Sequence, residues 1–263
     1  MTEISATMVK QLRDASSAGM MDCKRALQET EGDFDAAMKL LREKGIASAA
    51  KRADRETSEG TVLAQIDGPV AAIVAVGCET EPVSKNDEFQ AFAREVLEAA
   101  ISGGADAVGA LDEARVALGA RLGENIQIVG ARRMEAGDGE AFASYVHPPG
   151  KVGVLVKTRG GSPELARQLA MHISFSRPSY ASRDEVPAEL VESERGILAK
   201  LPEVESKPVD VREKIVEGML NKRFFAESVL GEQAWIHDTA LTVAKALSES
   251  GLELVEYAWF SVR

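Results

Sequence analysis

The chain is built around Val70-Ala-Ala-Ile-Val-Ala-Val-Gly-Cys78, followed by Glu79-Thr-Glu-Pro-Val-Ser-Lys-Asn86 and by a long run that begins at Asp87. Residues 70–76 are continuously apolar, which is typical of a buried β-strand. From Asp87 to residue 100 the apolar residues recur at helical spacing, and Asn86 is suited to cap that helix. The sequence therefore predicts a buried strand and an amphipathic helix, joined by a polar connection that contains two carboxylates.

A second copy of this pattern occurs later in the chain. Lys151 to Lys157 is another apolar strand, and Ser162-Pro163-Glu164 has the composition of a helix start. Aligning the two copies leaves eight additional residues in the first one, all between strand and helix. An insertion in one copy of a duplicated scaffold suggests a functional loop, and a tolerated surface loop is the alternative.

Composition limits the possible functions. The 263 residues are 45% hydrophobic and 28% charged, as in an ordinary globular protein, and they allow one large or two to three small domains. The net charge of −11 argues against direct nucleic-acid binding and against binding to an anionic membrane. Two cysteines without metal-ligand spacing, and no signal peptide or membrane-length apolar run, predict a reduced cytoplasmic protein.

The first fifty residues predict three short helices. Gly32-Asp33 turns the chain into the third helix, and Asp33 is its predicted cap. Residues 49–60 are charged enough for a solvated tether. The predicted buried faces are Ile4, Met8, Val9 and Leu12, then Met20, Cys23 and Leu27, then Phe34, Ala37, Met38 and Leu41.

The central part of the chain predicts small antiparallel sheets covered by helices. Asp67-Gly68 is a strong two-residue hairpin signal between strands at 61–66 and 70–76. Gly103-Gly104 is expected to open a loop, and a helix marked by Leu111, Ala114 and Leu118 is expected to end near Gly123. Strands at 126–134 and 141–147 are expected at the start of the second half.

The last third of the chain has a different composition. Residues 187–229 predict an antiparallel helical hairpin, hinged at 201–208 and projecting from the core. Asp238 is expected to cap a helix that turns Ala240, Val243, Ala244 and Leu247 inward and ends at Gly251. Residues 252–262 predict a final strand of the second sheet, and the whole chain has an α+β layout.

The sequence contains little that indicates an enzyme. The chain has neither a phosphate-binding glycine loop nor a His-Glu-x-x-His motif, so we expect no cofactor and no metal. Cys78 and His172 could form a nucleophilic pair, although a buried strand-end cysteine and a core histidine are the simpler explanation. Glu79 and Glu81 are too close in sequence to indicate acid–base catalysis by themselves. His147 precedes two prolines and is either a turn residue or a contact residue.

Six segments carry a family resemblance: residues 9–27, Phe89-Gln-Ala-Phe-Ala, Gly123-Glu-Asn-Ile, Ser144-Tyr-Val-His, Gly153-Val-Leu-Val and Ala170-Met-His-Ile. Through them the chain resembles the bacterial elongation factor Ts family along essentially its whole length. The resemblance implies a guanine-nucleotide exchange factor that binds elongation factor Tu in its GDP-bound and nucleotide-free forms, performs no chemistry of its own, and acts in translation elongation. It also implies a ubiquitin-associated-like three-helix domain at 1–54, a core half at 55–139, and a second half at 140–263 with the hairpin at about 187–229. A homodimer or a two-plus-two assembly is possible, and the C-terminal helical module of some members is expected to be absent.

The same resemblance implies the site residues. Partner contacts map onto Arg13, Met20, Met21, Lys24 and His147, and one of the two methionines is expected to belong to the core. The segment that disturbs the partner's Mg²⁺ site maps onto Thr80-Glu81-Pro82-Val83, with Phe89 at the start of the following helix. The family usually has Thr-Asp-Phe-Val here, so Glu81 carries the charge on a longer stem and Pro82 replaces an aromatic wedge.

Overall fold

The computed structural model describes residues 4–16 and 18–262, which form two compact units. The first unit contains the described residues up to Glu135, together with Val146–Gly153 and the chain from Phe260 onward. The second contains Ala136–Tyr145 and Val154–Trp259. Among the described residues, no helix has both the length and the apolar character needed to cross a bilayer.

The elements of the first unit confirm most of the predicted ones. Its helices are α1 (Ala6–Ser16), α2 (Met20–Glu29), α3 (Phe34–Arg52), α4 (Glu81–Ser84), α5 (Asp87–Gly109) and α6 (Asp112–Leu122), and its strands are β1 (Glu59–Asp67), β2 (Val70–Cys78) and β3 (Gln127–Glu135).

The first three helices pack around a small apolar cluster. Leu12, Cys23 and Leu27 are fully buried in it, and the Asp33 carboxylate accepts a hydrogen bond from the Ala36 N–H at 2.9 Å, as predicted. Phe34 is 37% exposed, so its assignment to the buried face was wrong. The predicted tether is also shorter than expected, because α3 continues to Arg52 and takes in the first residues of the segment.

The first sheet has the strand order β1–β2–β3, and all pairs are antiparallel. Asp67 pairs with Val70, so the central residues of the hairpin turn are Gly68 and Pro69, one residue later than predicted. Gly68 has φ 56°, a left-handed conformation that glycine adopts without steric cost. The strand at 126–134 pairs with β2 and thus belongs to the first sheet, which corrects its placement in the second half.

Helix α5 covers this sheet and begins where predicted. The Asn86 side chain accepts hydrogen bonds from the Glu88 and Phe89 N–H groups at 2.9 and 3.4 Å. The predicted loop at Gly103-Gly104 is a kink instead, because Gly104 alone leaves helical geometry at φ 64°. Helix α6 ends in the left-handed Gly123, as predicted.

The second unit contains a sheet of order β4–β5–β8 and, among its described residues, a two-stranded sheet of β6 and β7. The Ser162 hydroxyl accepts a hydrogen bond from the Leu165 N–H and so caps α7, which confirms the second copy of the strand–helix pattern. The elements are β4 (Glu140–His147), β5 (Val152–Gly160), α7 (Pro163–Ser176), α8 (Ala188–Ala199), α9 (Pro202–Glu205), α10 (Val209–Met219), α11 (Ala226–Ser228), β6 (Ala234–Trp235), β7 (Asp238–Thr242), α12 (Val243–Glu249) and β8 (Leu252–Ser261).

The predicted helical hairpin consists of α8 and α10, with α9 as a single turn within the hinge. Leu198, Val204, Val216 and Leu220 are buried together between its arms. A π-helical segment, Leu220–Phe225, continues the second arm.

The end of the second unit corrects one predicted helix cap. Residues 238–242 form β7, and the Thr242 hydroxyl caps α12 by accepting from the Lys245 N–H at 3.3 Å. Asp238 instead accepts a local hydrogen bond from the Ala240 N–H at 3.1 Å, and Ala240 is exposed. Val243 and Leu247 are buried as predicted, while Ala244 is exposed.

His172 is a core residue, as the simpler interpretation of the sequence held. Its ring stacks on Trp235 at a centroid distance of 5.2 Å. Nδ1 accepts a hydrogen bond from the Ile236 N–H at 3.3 Å, which leaves the proton on Nε2, 3.0 Å from the Gln233 Oε1 acceptor. Burial lowers the pKa of His172, because a charged ring in this position loses hydration.

We expect the stability of the second unit to fall as the pH drops below the ordinary histidine pKa. The unfolded chain binds a proton at residue 172 more readily than the folded chain, so protonation favours unfolding. His172→Gln should flatten the decline between pH 7.5 and 5.5, whereas His237→Gln, which replaces an exposed histidine two residues after β6, should retain it. Both tryptophans lie in the second unit, so their fluorescence during urea unfolding measures this directly. An unchanged slope in His172→Gln would contradict the assignment.

Candidate functional site

The eight residues between β2 and α5, hereafter the 79–86 connection, form a compact turn. The sequence indicated a polar loop, but Glu81–Ser84 is a single helical turn, α4. The Ser84 and Lys85 N–H groups donate to the carbonyls of Thr80 and Glu81 at 3.1 and 3.2 Å. Pro82 lies in this first turn, where a helix needs no N–H donor. By comparison, only two residues separate β5 from α7 in the second copy, so the first connection is longer by six residues, whereas the sequence alignment gave eight.

A carboxylate from another part of the chain holds the start of this connection. Glu124, just after α6, accepts hydrogen bonds at its Oε2 atom from the Glu79 and Thr80 N–H groups at 2.9 and 3.1 Å. Its Oε1 atom accepts from the Thr80 hydroxyl. One side chain thus binds three donors of two successive residues.

Glu79 makes the reciprocal contacts. Its Oε1 atom accepts from the Asn125 N–H at 2.6 Å and lies 3.3 Å from Arg55 Nη1. Asn125 is 5% exposed, and its side-chain amide donates to the Arg55 and Ala53 carbonyls at 2.9 and 3.3 Å. The segment between α3 and β1, which was predicted to be a solvated tether, is therefore bound to the core at this point.

The tip of the connection is exposed and its base is buried. Thr80, Glu81 and Pro82 are exposed, whereas Val83 is half-buried and packs against the main core cluster. Phe89 is fully buried in that cluster, so it is not available to contact a partner, as its inclusion in the predicted exchange segment implied. Its position on the inward face of α5 makes it a support beneath the connection.

Glu81 at the tip forms an ion pair with Lys85, four residues later on the same turn. The Lys85 Nζ atom lies 2.6 Å from Glu81 Oε1, and both side chains are largely exposed. The hydrogen bond and charge of Lys85 lower the pKa of the Glu81 carboxyl, and those of Glu81 raise the pKa of Lys85. Lys151 also contributes to the lowered pKa of Glu81, although less than Lys85.

The turn after His147 docks beside the same end of the first sheet. His147 is exposed, and its carbonyl accepts from the Gly150 N–H at 2.7 Å to close the turn. The Val62 N–H on β1 donates to the Gly150 carbonyl at 2.7 Å, and Lys151 pairs with Glu59. Glu59 lies opposite Cys78, the residue at which the 79–86 connection begins. The structure therefore places the His147 turn and this connection at one end of β1 and β2.

The N-terminal helices present the other predicted contact residues. Met20 is 45% and Met21 63% exposed, so the expectation that one of them belongs to the core was wrong. Arg13 and Lys24 are also exposed. Gly19, just before α2, lines a cleft together with Ala120 in the last turn of α6, which leads to Glu124.

Sequence reasoning missed the residues that hold the site together. Glu124 and Asn125 lie in the Gly123-Glu-Asn-Ile motif, which indicated a family but no role. Lys85 and Lys151 gave no signal in the sequence beyond their charge. The predicted Cys78 environment is confirmed, since this strand-end cysteine is buried and burial raises the pKa of its thiol to about 12. Among the described residues, no cluster of three His, Cys, Asp or Glu side chains could hold a metal ion.

The fold and site define an α+β protein with an exposed, hydrogen-bonded helical turn at one end of its first sheet. A family model described as elongation factor TS matches residues 79–263. The chain is 41% identical over 266 residues to elongation factor Ts of Enterobacter sp. (strain 638), covering all of this chain and 92% of that protein. It is also 40% identical to elongation factor Ts of Pediococcus pentosaceus, covering all of this chain and 93% of the relative. The chain belongs to the elongation factor Ts family and is a translation elongation factor.

Replacing Lys85 should change the titration of Glu81. In Lys85→Gln the charge-assisted hydrogen bond is lost, so the pKa of Glu81 is expected to rise toward its ordinary value. Carboxyl ¹³C shifts followed by NMR over a pH series report this change. Lys245→Gln, which removes a comparable exposed pair with Glu249 in the second unit, should leave Glu81 unaffected. A Glu81 titration that is identical in Lys85→Gln and the wild type would mean that the pair does not form in solution.

Proposed function

We propose that this protein is a guanine-nucleotide exchange factor that binds elongation factor Tu and accelerates GDP release. The observation that carries the proposal is the 79–86 connection, an exposed carboxylate-bearing turn on a fixed base, in a member of the elongation factor Ts family. The protein performs no covalent step on this proposal, and it acts in the cytoplasm without binding nucleic acid or membrane. A homodimer or a two-plus-two complex with the partner is compatible with it.

Exchange of this kind follows from linkage between two binding equilibria. If the protein binds nucleotide-free partner more tightly than the GDP form, then it weakens GDP binding by the same factor. In a GTPase, Mg²⁺ bridges phosphate oxygens in a strict octahedral geometry. A small displacement of the groups around the ion therefore weakens binding of the nucleotide. The tip of the connection would supply that displacement.

Glu81 is the residue of the tip that we assign to this step. Its carboxylate is ionised and exposed, and in a water-poor cleft it would repel phosphates or compete for the metal. The pair with Lys85 is screened by solvent and therefore opposes separation only weakly. Pro82 fixes one backbone dihedral of the turn and so reduces the entropy lost on docking.

The remaining predicted residues form the proposed gripping surface. Two adjacent exposed methionines on α2 suit an adaptable apolar contact, and Arg13 and Lys24 add positive charge beside them. His147 would contribute from its exposed turn at the end of the sheet that bears the 79–86 connection. Val83 and the buried Phe89 would support the connection from below.

A second candidate function is that of a binding partner that holds elongation factor Tu without accelerating GDP release. The sequence of the tip favours it, because Pro82 offers no aromatic wedge and Lys85 partly neutralises Glu81. The two functions differ in one measurable quantity, the rate of GDP release at saturating protein.

We expect Glu81→Ala to slow GDP release from elongation factor Tu by about tenfold while changing complex affinity little, since the carboxylate acts on the nucleotide site. Pro82→Phe should speed release by restoring a large apolar wedge. Stopped-flow release of a fluorescent GDP analogue gives both rates, with Glu98→Ala, an exposed carboxylate on α5, as the matched control. Wild-type protein that binds but does not accelerate release would establish the second candidate. If neither variant changed the rate of GDP release, the tip would have no part in exchange.

Truncating the gripping surface should weaken the complex. Met20→Ala with Met21→Ala, and separately His147→Ala, are each expected to cost about 1 kcal/mol or more of binding free energy. Calorimetry with nucleotide-free partner measures the loss, and Ile66→Ala, at 43% exposure on the far end of β1, is the control. Unaltered affinity accompanied by a lowered melting temperature would assign these side chains to folding.

A further inference from the structure

The backbone at the start of the 79–86 connection lacks partners in the sheet. The β1–β2 ladder ends at the pair Glu59–Cys78, and the β2–β3 ladder ends at Gly77–Gln127. The N–H groups of Glu79 and Thr80 therefore need acceptors from elsewhere. The Glu124 carboxylate supplies both, through Oε2 at 2.9 and 3.1 Å.

Glu124 itself is held on a rigid base. It follows the left-handed Gly123 that ends α6, and its neighbour Asn125 is bound on its main-chain and side-chain donors. The Arg115 guanidinium donates to the Ile126 carbonyl at 2.8 Å and ties the same segment to α6. The 79–86 connection and the segment after α6 are thus joined by reciprocal hydrogen bonds, hereafter the clasp. The Glu124 carboxylate accepts from the Glu79 N–H, and the Glu79 carboxylate accepts from the Asn125 N–H.

The clasp acts on the residue that starts the helical turn. Thr80 is the N-cap position of α4, but its side chain makes no capping bond to the turn. Its hydroxyl donates to Glu124 instead, so the direction in which α4 leaves the sheet depends on this carboxylate. Glu81 follows immediately and has no contact with Glu124 among those described.

We propose that Glu124 is a positioning residue for nucleotide exchange, because it fixes the backbone from which Glu81 projects. This inference rests on the proposed function of the 79–86 connection. A preorganised tip loses little conformational freedom when it enters the partner, whereas a frayed one must be ordered at that step. Loss of the clasp therefore lowers the maximal rate of GDP release more than the affinity of the complex.

The experiment compares three changes of graded severity. Glu124→Ala removes all acceptors, Glu124→Gln keeps one carbonyl oxygen, and Thr80→Val removes only the hydroxyl donor. We expect the release rate at saturating protein to fall roughly tenfold in Glu124→Ala, with partial rescue in Glu124→Gln and a smaller loss in Thr80→Val. Glu88→Gln is the matched control, because Glu88 pairs with Arg121 at 2.8 Å and joins α5 to α6 without contacting the connection's backbone.

Two further measurements separate positioning from folding. Amide hydrogen exchange at Glu79 and Thr80 should accelerate in Glu124→Ala and stay protected in Glu88→Gln. In a double-mutant cycle, Glu124→Ala added to Glu81→Ala should cause little further loss of rate, since Glu124 acts through Glu81. If Glu124→Ala fails to fold, the release rates and amide exchange of Glu124→Gln and Thr80→Val are compared with those of Glu88→Gln instead.

The results that overturn the proposal differ from those that overturn the function. Wild-type release rates in Glu124→Ala despite unprotected amides, or fully additive losses in the cycle, would refute positioning by Glu124 while leaving exchange by the tip intact. A release rate insensitive to Glu81→Ala would refute the function assigned to the tip, and the positioning role would fall with it.

Discussion

The burial of β2 is the constraint on which the first unit depends. Every residue from Ala71 to Cys78 is buried: the strand lies between two neighbours in the sheet, and α5 covers the face that bears Ala72, Val74, Val76 and Cys78. Each large apolar side chain fully removed from water contributes about 1.5–3 kcal/mol, so the strand cannot shift register without a large loss. Its end at Cys78 and the start of α5 at Asn86 are therefore fixed points, and the chain between them has to bridge a set distance.

Hydrophobic burial does not decide how that bridge is made. The connection is polar at its ends, and the reciprocal bonds of Glu79, Glu124 and Asn125 determine its path. These groups are partly or fully buried, so an unmet donor or acceptor among them costs free energy that a solvated loop would not lose. The result is a turn whose base is held by hydrogen bonds and whose tip is exposed. Binding loops on a rigid scaffold commonly have this arrangement.

The sequence was informative where one local rule acts alone. The caps at Asn86 and Ser162, the left-handed end of α6 at Gly123 and the hairpin before Val70 each follow from a few adjacent residues. It misled where tertiary contacts compete with the local pattern. Asp238 has the chemistry of a helix cap, yet strand pairing of residues 238–242 moves the cap to Thr242.

In the candidate site, too, local sequence predicts some features and tertiary contacts determine the others. Its location was predictable, because a duplicated strand–helix pattern makes an insertion visible in the chain itself. Its internal structure was not, because Glu124 lies more than forty residues from Thr80 and no local rule joins them. The burial of Phe89 follows from its place in the apolar stripe of α5, because a side chain on that face of the helix packs against the sheet.

On the proposed function, the net charge that the tip brings to the partner's nucleotide site depends on Lys85 as much as on Glu81. In water the pair is screened, and each side chain exchanges its partner for solvent at little cost. In a cleft of low dielectric the same two charges interact far more strongly, so a tip that keeps the pair closed brings almost no net charge to the nucleotide. A tip that leaves Lys85 outside brings a full negative charge. Lys85 lies one turn after Glu81 and its side chain is as exposed as that of Glu81, so on the proposed function the docked pose decides whether one charge or both enter the cleft. The clasp at Glu124 fixes where α4 begins, and on the proposed function it therefore limits the poses in which Glu81 enters the cleft without Lys85.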